Sequence, residues 1–220
     1  MGLRESVGIT PRRQKQATYV MELFLVGIVF IGIERGSTTV IVNALVGLGV
    51  TQIPPILERD YDVPMNSALT LWITAAVFLH ALGVLGLPGS ERNFYGTIWW
   101  WDHVTHALSS SVVAAVGYAT ARALDVHSED IHLPPRFMFV YILIFVIAFG
   151  VLWEVIEFGL GEGARLMGNQ ALLTQHGLGD SMLDLVFDTV GAVVVAVWGT
   201  AHLTDVSGYL AAAFGARDTE

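Results

Sequence analysis

A chain of 220 residues with 54% hydrophobic and only 14% charged side chains departs from soluble domains, in which about 25% of residues are charged. Its apolar runs approach the roughly 20 residues that cross a bilayer core of about 30 Å, so it is written for a lipid solvent. The net charge of -9 argues against a nucleic-acid partner, and the lack of cysteine excludes disulfides and thiolate chemistry.

The N-terminal MGLRESVGITPRRQKQ is basic and polar. No small-residue cleavage site follows the next apolar run, so residues 1–17 read as a cytoplasmic tail rather than a signal peptide. Six spans then follow, at about 18–35, 38–56, 68–87, 98–122, 136–159 and 181–203. The second is expected to stop at Pro54-Pro55 and the third at Pro88-Gly89. Residues 18–204 thus form a six-helix transmembrane domain, and 205–220 a short cytoplasmic tail. The predicted fold class is all-α: a polytopic bundle in the cell membrane with both termini cytoplasmic.

Basic residues orient that bundle. With the N-terminus inside, Arg4, Arg12, Arg13, Lys15, Arg59, Arg122, Arg136 and Arg217 are cytoplasmic, whereas Arg35, Arg92 and Arg165 are external. Trp99, Trp100 and Trp101 then lie at the outer interface, where aromatic belts form. Ser109, Ser110, Ser111, Ala114, Ala115 and Gly117 give the fourth span small side chains for close helix contact. No G-x-S-x-G elbow points to a serine nucleophile.

Polar residues gather at one depth. The fourth span opens with WDHVTH, in which Asp102 and His106 share a face and His103 points partly aside. The fifth ends near WEVIEF, with Glu154 and Glu157 three apart. The sixth begins with DSMLDLVFD, which sets Asp180, Asp184 and Asp188 at steps of four. His80 in the third span and Glu34 at the end of the first reach the same outer half of the bilayer. A charge at mid-bilayer costs about 2.5–3.5 kcal/mol even on the lenient insertion scale. Several carboxylates cannot all stay ionised side by side in low dielectric. A metal sits there, or the acids share protons, or water fills the chamber.

Imidazole with carboxylate suits zinc, iron or manganese. In that reading Asp102, His106, Glu154 and Asp184 are the ligands, and Glu157 or Asp188 is a general base in hydrolysis of a lipid-linked or envelope substrate. His80, His103, Asp180 and Glu34 stand behind the ligands. Two other classes compete: a proton or cation transporter using Asp184, Asp188 and Glu154 as a ladder, and a scaffold or lipid-binding protein whose polar pairs pin its helices. The inner half of the spans carries little beyond Glu22 and Gln52, so no continuous transport path is visible. Membrane lipids are the expected surroundings, and the sequence assigns no oligomeric state.

The motif order LHALG, WDHVTH, WEVIEF and LGDSMLDLVFDTVGA resembles the YjdF-like family of small polytopic membrane proteins, and more loosely the VanZ-like proteins. The likeness covers about 80–195. It implies an integral membrane protein and polar positions at His80, Asp102, His106, Glu154, Glu157, Asp180, Asp184 and Asp188. It departs from the YjdF-like pattern in spacing Asp180 and Asp184 four apart rather than three, and VanZ-like proteins tend to carry asparagine at the place of Asp188. It names no substrate.

Overall fold

The computed structural model describes residues 10–87, 92–128, 130–168, 171–173, 177–198 and 203–217. Among them the regular structure is helical, with no strand: α1 Pro11–Glu34, α2 Thr38–Thr51, α3 Ile53–Tyr61, α4 Ser67–Leu85, α5 Trp101–His127, α6 Pro135–Leu166, α7 Leu178–Trp198 and α8 Thr204–Arg217. Among the described residues, five stretches are long and apolar enough to cross a membrane: α1, α2 continued through α3, α4, α5 and α6. The expected sixth span corresponds to α7, which has 21 residues and carries the three aspartates of its motif; residues 199–202 lie outside those described.

Boundaries differ from expectation where local chemistry intervenes. Helix α2 does end at Thr51, just before Pro54-Pro55, but the chain becomes helical again at once: the two prolines lie in the first turn of α3, where a proline's missing N–H breaks no helical bond. Helix α1 begins within the expected tail, because Thr10 caps it by accepting from the Arg13 N–H and Pro11 opens its first turn. The expected C-terminal tail is helical over Thr204–Arg217, with Ser207 and Ala211 buried. The Pro88-Gly89 stop falls outside the described residues.

The chain divides into two compact units, one of Met1–Tyr61 with Met65–Trp101 and one of Asp62–Pro64 with Asp102–Glu220. In the first, Leu25 and Ile28 of α1, Val40 and Ala44 of α2 and Ala81 of α4 make a common core, with Phe78, Leu82 and Leu85 against it. Gly32 permits the close approach of α1 and α2, since a Cβ there would lie 2.8 Å from Ile41 Cγ1. The turn between them needs Gly36, whose φ is +62°, and Ser37 then caps α2 at the Val40 N–H.

In the second unit, α6 turns inward a stripe at steps of four: Met138, Ile142, Val146, Gly150 and Glu154 are buried. Its other faces expose Ile144, Phe149, Leu152, Val155 and Phe158. That is the pattern of a helix bathed in hydrocarbon, and it ends on an acid. Helix α7 runs beside α6, and it buries Ser181, Asp184, Asp188, Ala192 and Val195. Small residues set the spacing. Gly117 of α5 faces the Phe145 ring of α6, and Gly191 of α7 lies against the Ala107–Ser111 turn of α5.

Candidate metal centre

Helices α5, α6 and α7 of the second unit meet at one end, where their apolar stripes give way to acids. Asp102 and His106 lie one turn apart on α5, and α7 presents Asp184 and Asp188, also one turn apart. His106 stands among three of these carboxylates. Its Nε2 is 3.6 Å from Asp102 Oδ1 and 3.8 Å from Asp184 Oδ1, while its Nδ1 is 3.2 Å from Asp188 Oδ1. The first two distances exceed a hydrogen bond, and the third is within one.

One donor atom from each of Asp102, His106 and Asp184 lies within 4.8 Å of the others, so the three can share one ion. Asp184 is only 3% exposed, and its Oδ1 is buried with no hydrogen-bond partner. An orphaned buried carboxylate oxygen is costly unless a cation or proton meets it. Two carboxylates and one imidazole are donors that zinc, iron and manganese accept.

The family described as "Predicted membrane protein (DUF2238)" matches residues 17–205. The chain belongs to this family. An "Uncharacterized protein" of Thermotoga maritima is 29% identical over 143 residues, which are 65% of this chain and 67% of that relative. No solved structure matches. Family membership and the long apolar helices together make it a multi-pass membrane protein.

The other expected positions of this DUF2238 protein fall out as follows. Glu154 is buried on α6 and interacts electrostatically with Asp184, as does Asp180. Glu154 is not one of the three whose donor atoms lie within 4.8 Å of one another, although its own Oε1 is also buried without a hydrogen bond. Glu157, half-buried one turn further along α6, interacts with Glu154, His106 and Asp102 and bonds to Trp153. Asp188, expected as a general base, has its Oδ1 3.2 Å from His106 Nδ1. The His103 ring stacks on Phe187 of α7, centroids 4.3 Å apart and planes 4° from parallel. It braces α5 against α7 beside the centre.

His80 and Glu34 belong to the first unit. His80 Nε2 is 3.1 Å from Asn43 Oδ1, Asn43 Nδ2 donates to the Thr39 carbonyl at 2.9 Å, and Tyr95 Oη is 2.8 Å from His80 Nδ1. With its amide nitrogen committed to Thr39, Asn43 accepts from His80 Nε2–H, and the Tyr95 hydroxyl meets Nδ1, so both ring nitrogens of His80 are engaged. Asn43 and Tyr95 carried no signal in the sequence as its partners, because neither charge nor helical spacing links them. Glu34 is exposed at the end of α1, and its neighbour Arg35 donates to the Leu85 carbonyl at 3.1 Å.

Proposed function

We propose that the protein is a membrane-embedded metalloprotein in which Asp102, His106 and Asp184 hold one divalent cation, zinc, iron or manganese. The observation that carries this reading is the convergence of His106 Nε2 and an Asp102 oxygen on the buried, unbonded Oδ1 of Asp184. Three protein donors are also the number that catalytic zinc sites use while keeping one position open.

The reaction class that suits such a centre is hydrolysis of a lipid-linked or envelope substrate. The ion, when bound, supplies Lewis acidity and acidifies water. Glu157 is the group placed to take a proton: it is half-buried and lies near His106 and Asp102 without belonging to the ligand trio. The arginine distribution supports an outward-facing centre with cytoplasmic termini. The family match over 17–205 supports the YjdF-like resemblance, whereas the VanZ-like likeness rests on motif order alone.

Elemental analysis of the purified chain tests the reading, with wild type beside Asp184→Asn and His106→Ala. Near-stoichiometric metal that both substitutions abolish supports it and calls for a hydrolase screen. Well-folded wild type that holds no metal after reconstitution overturns it, and proton flux in liposomes then tests a transport role for the same acids.

A further inference from the structure

We propose that Asp188 is the positioning residue of this centre: its carboxylate holds the His106 ring with the proton on Nδ1, so that Nε2 turns its lone pair to the cation shared with Asp102 and Asp184. The proposal rests on the metal reading above and assigns Asp188 a role other than general base.

The chemistry follows from what each group can offer. An ionised carboxylate only accepts hydrogen bonds, so His106 Nδ1 donates across the 3.2 Å to Asp188 Oδ1. A neutral imidazole carries one N–H, and its other nitrogen is then the ligand. That nitrogen, Nε2, is the one facing Asp102 Oδ1 and Asp184 Oδ1. Metal-bound histidines commonly donate their second ring nitrogen to a carboxylate, which fixes the ring and raises its basicity.

The neighbouring helix makes room for this carboxylate. A Cβ on Gly150 would lie 2.5 Å from Asp188 Oδ2 and 2.8 Å from Leu185 Cδ2. Gly150 occupies the buried stripe of α6, where any other residue would push the Asp188 carboxylate or the helix itself. It therefore offers a second means of displacing Asp188 that alters no metal donor.

The test measures Zn2+ affinity by chelator competition on the detergent-solubilised full chain, for wild type, Asp188→Ala, Asp188→Asn and Gly150→Ala. It also records histidine 15N shifts of the zinc-loaded proteins. Loss of a carboxylate behind a ligating histidine typically weakens metal binding by about 10–100-fold, and Asp188→Ala is expected in that range. Gly150→Ala moves affinity in the same direction. Asp188→Asn, an isostere that keeps the helices assembled, also binds more weakly than wild type, because an amide oxygen accepts from Nδ1–H without the charge. Zinc-loaded wild type should show the His106 proton on Nδ1.

A proton on Nε2, or Asp188 variants that bind zinc as wild type does, overturns the positioning role while leaving the metal site standing. Wild type that binds no zinc overturns the site itself and this role with it. Were Asp188→Ala to misfold, Asp188→Asn and the wild-type 15N signature decide the question.

Discussion

Gly191 of α7 touches the Ala107 turn of α5 so closely that a Cβ on it would collide with the Ala107 carbonyl and the Ser110 hydroxyl, and would lie 2.9 Å from the Ser111 nitrogen. Ala107 follows His106 directly, so this contact sets the distance between the helix carrying Asp102 and His106 and the helix carrying Asp184 and Asp188. Overfilling a close-packed contact costs about 1–3 kcal/mol. Gly191→Ala is therefore expected to lower Tm in detergent and to weaken metal binding together. An unchanged Tm would show that α5 and α7 do not meet at this glycine.

Asp184→Asn should produce a crossover. In the metal-free protein the substitution removes a carboxylate that interacts unfavourably with Asp102, Asp180 and Glu154, and crowded carboxylates repel one another in a low dielectric. Metal-free Asp184→Asn should thus unfold at a higher temperature than metal-free wild type. With metal present the order reverses, since only wild type gains from binding. Thermal scans of both proteins in both states check this, and the absence of a reversal counts against Asp184 as a ligand.

Chelator treatment of wild type gives a third expectation. A ligand bound only by the folded state adds about 2.7 kcal/mol at a free concentration 100 times Kd. Raising zinc from zero should therefore raise Tm progressively, and a chelator should reverse the rise. His106→Ala should show no dependence on zinc over the same range.

The first unit has its own test. Tyr95→Phe removes the hydroxyl that lies 2.8 Å from His80 Nδ1, and losing a partner of this kind costs about 1–3 kcal/mol. Asn43→Leu removes the acceptor at Nε2. Combined, the two substitutions should destabilise by less than the sum of their separate effects, because both act through one ring. Strict additivity in thermal unfolding would show that the Tyr95–His80–Asn43 relay is not a unit.

Much of this was legible in the chain itself. Composition and run length called for membrane helices, and the elements follow at α1, α2 with α3, α4, α5 and α6. Helical spacing put Asp102 with His106 on one face, and Asp184 with Asp188 on another. Less legible were the ends. Pro54-Pro55 reads as a stop and α2 does end before it, yet proline is equally at home in a first helical turn, and the bond from the Ile56 nitrogen back to Gln52 shows that a new helix starts there. The segment after residue 204 has neither the length nor the apolarity of a span, so nothing in its composition marks the helix or the burial of Ser207 and Ala211.

By itself, the sequence determined the apolar character, the helices and the set of acids and histidines that share a face within each helix. All of these depend on composition and on a period of 3.6 residues, which any single helix expresses alone. The tertiary structure decided which member of that set does what. Asp184 and Asp188 share a face, yet one turns to His106 Nε2 and the other to Nδ1. His80, matched to the set by residue type, is engaged by Asn43 and Tyr95. The physical reason is that periodicity specifies the direction of a side chain relative to its own helix axis, and nothing more. How each helix is rotated and shifted against its neighbours is settled by contacts such as Gly150 with Asp188 and Gly191 with Ala107, where a missing Cβ on one helix lets a particular atom of another come close.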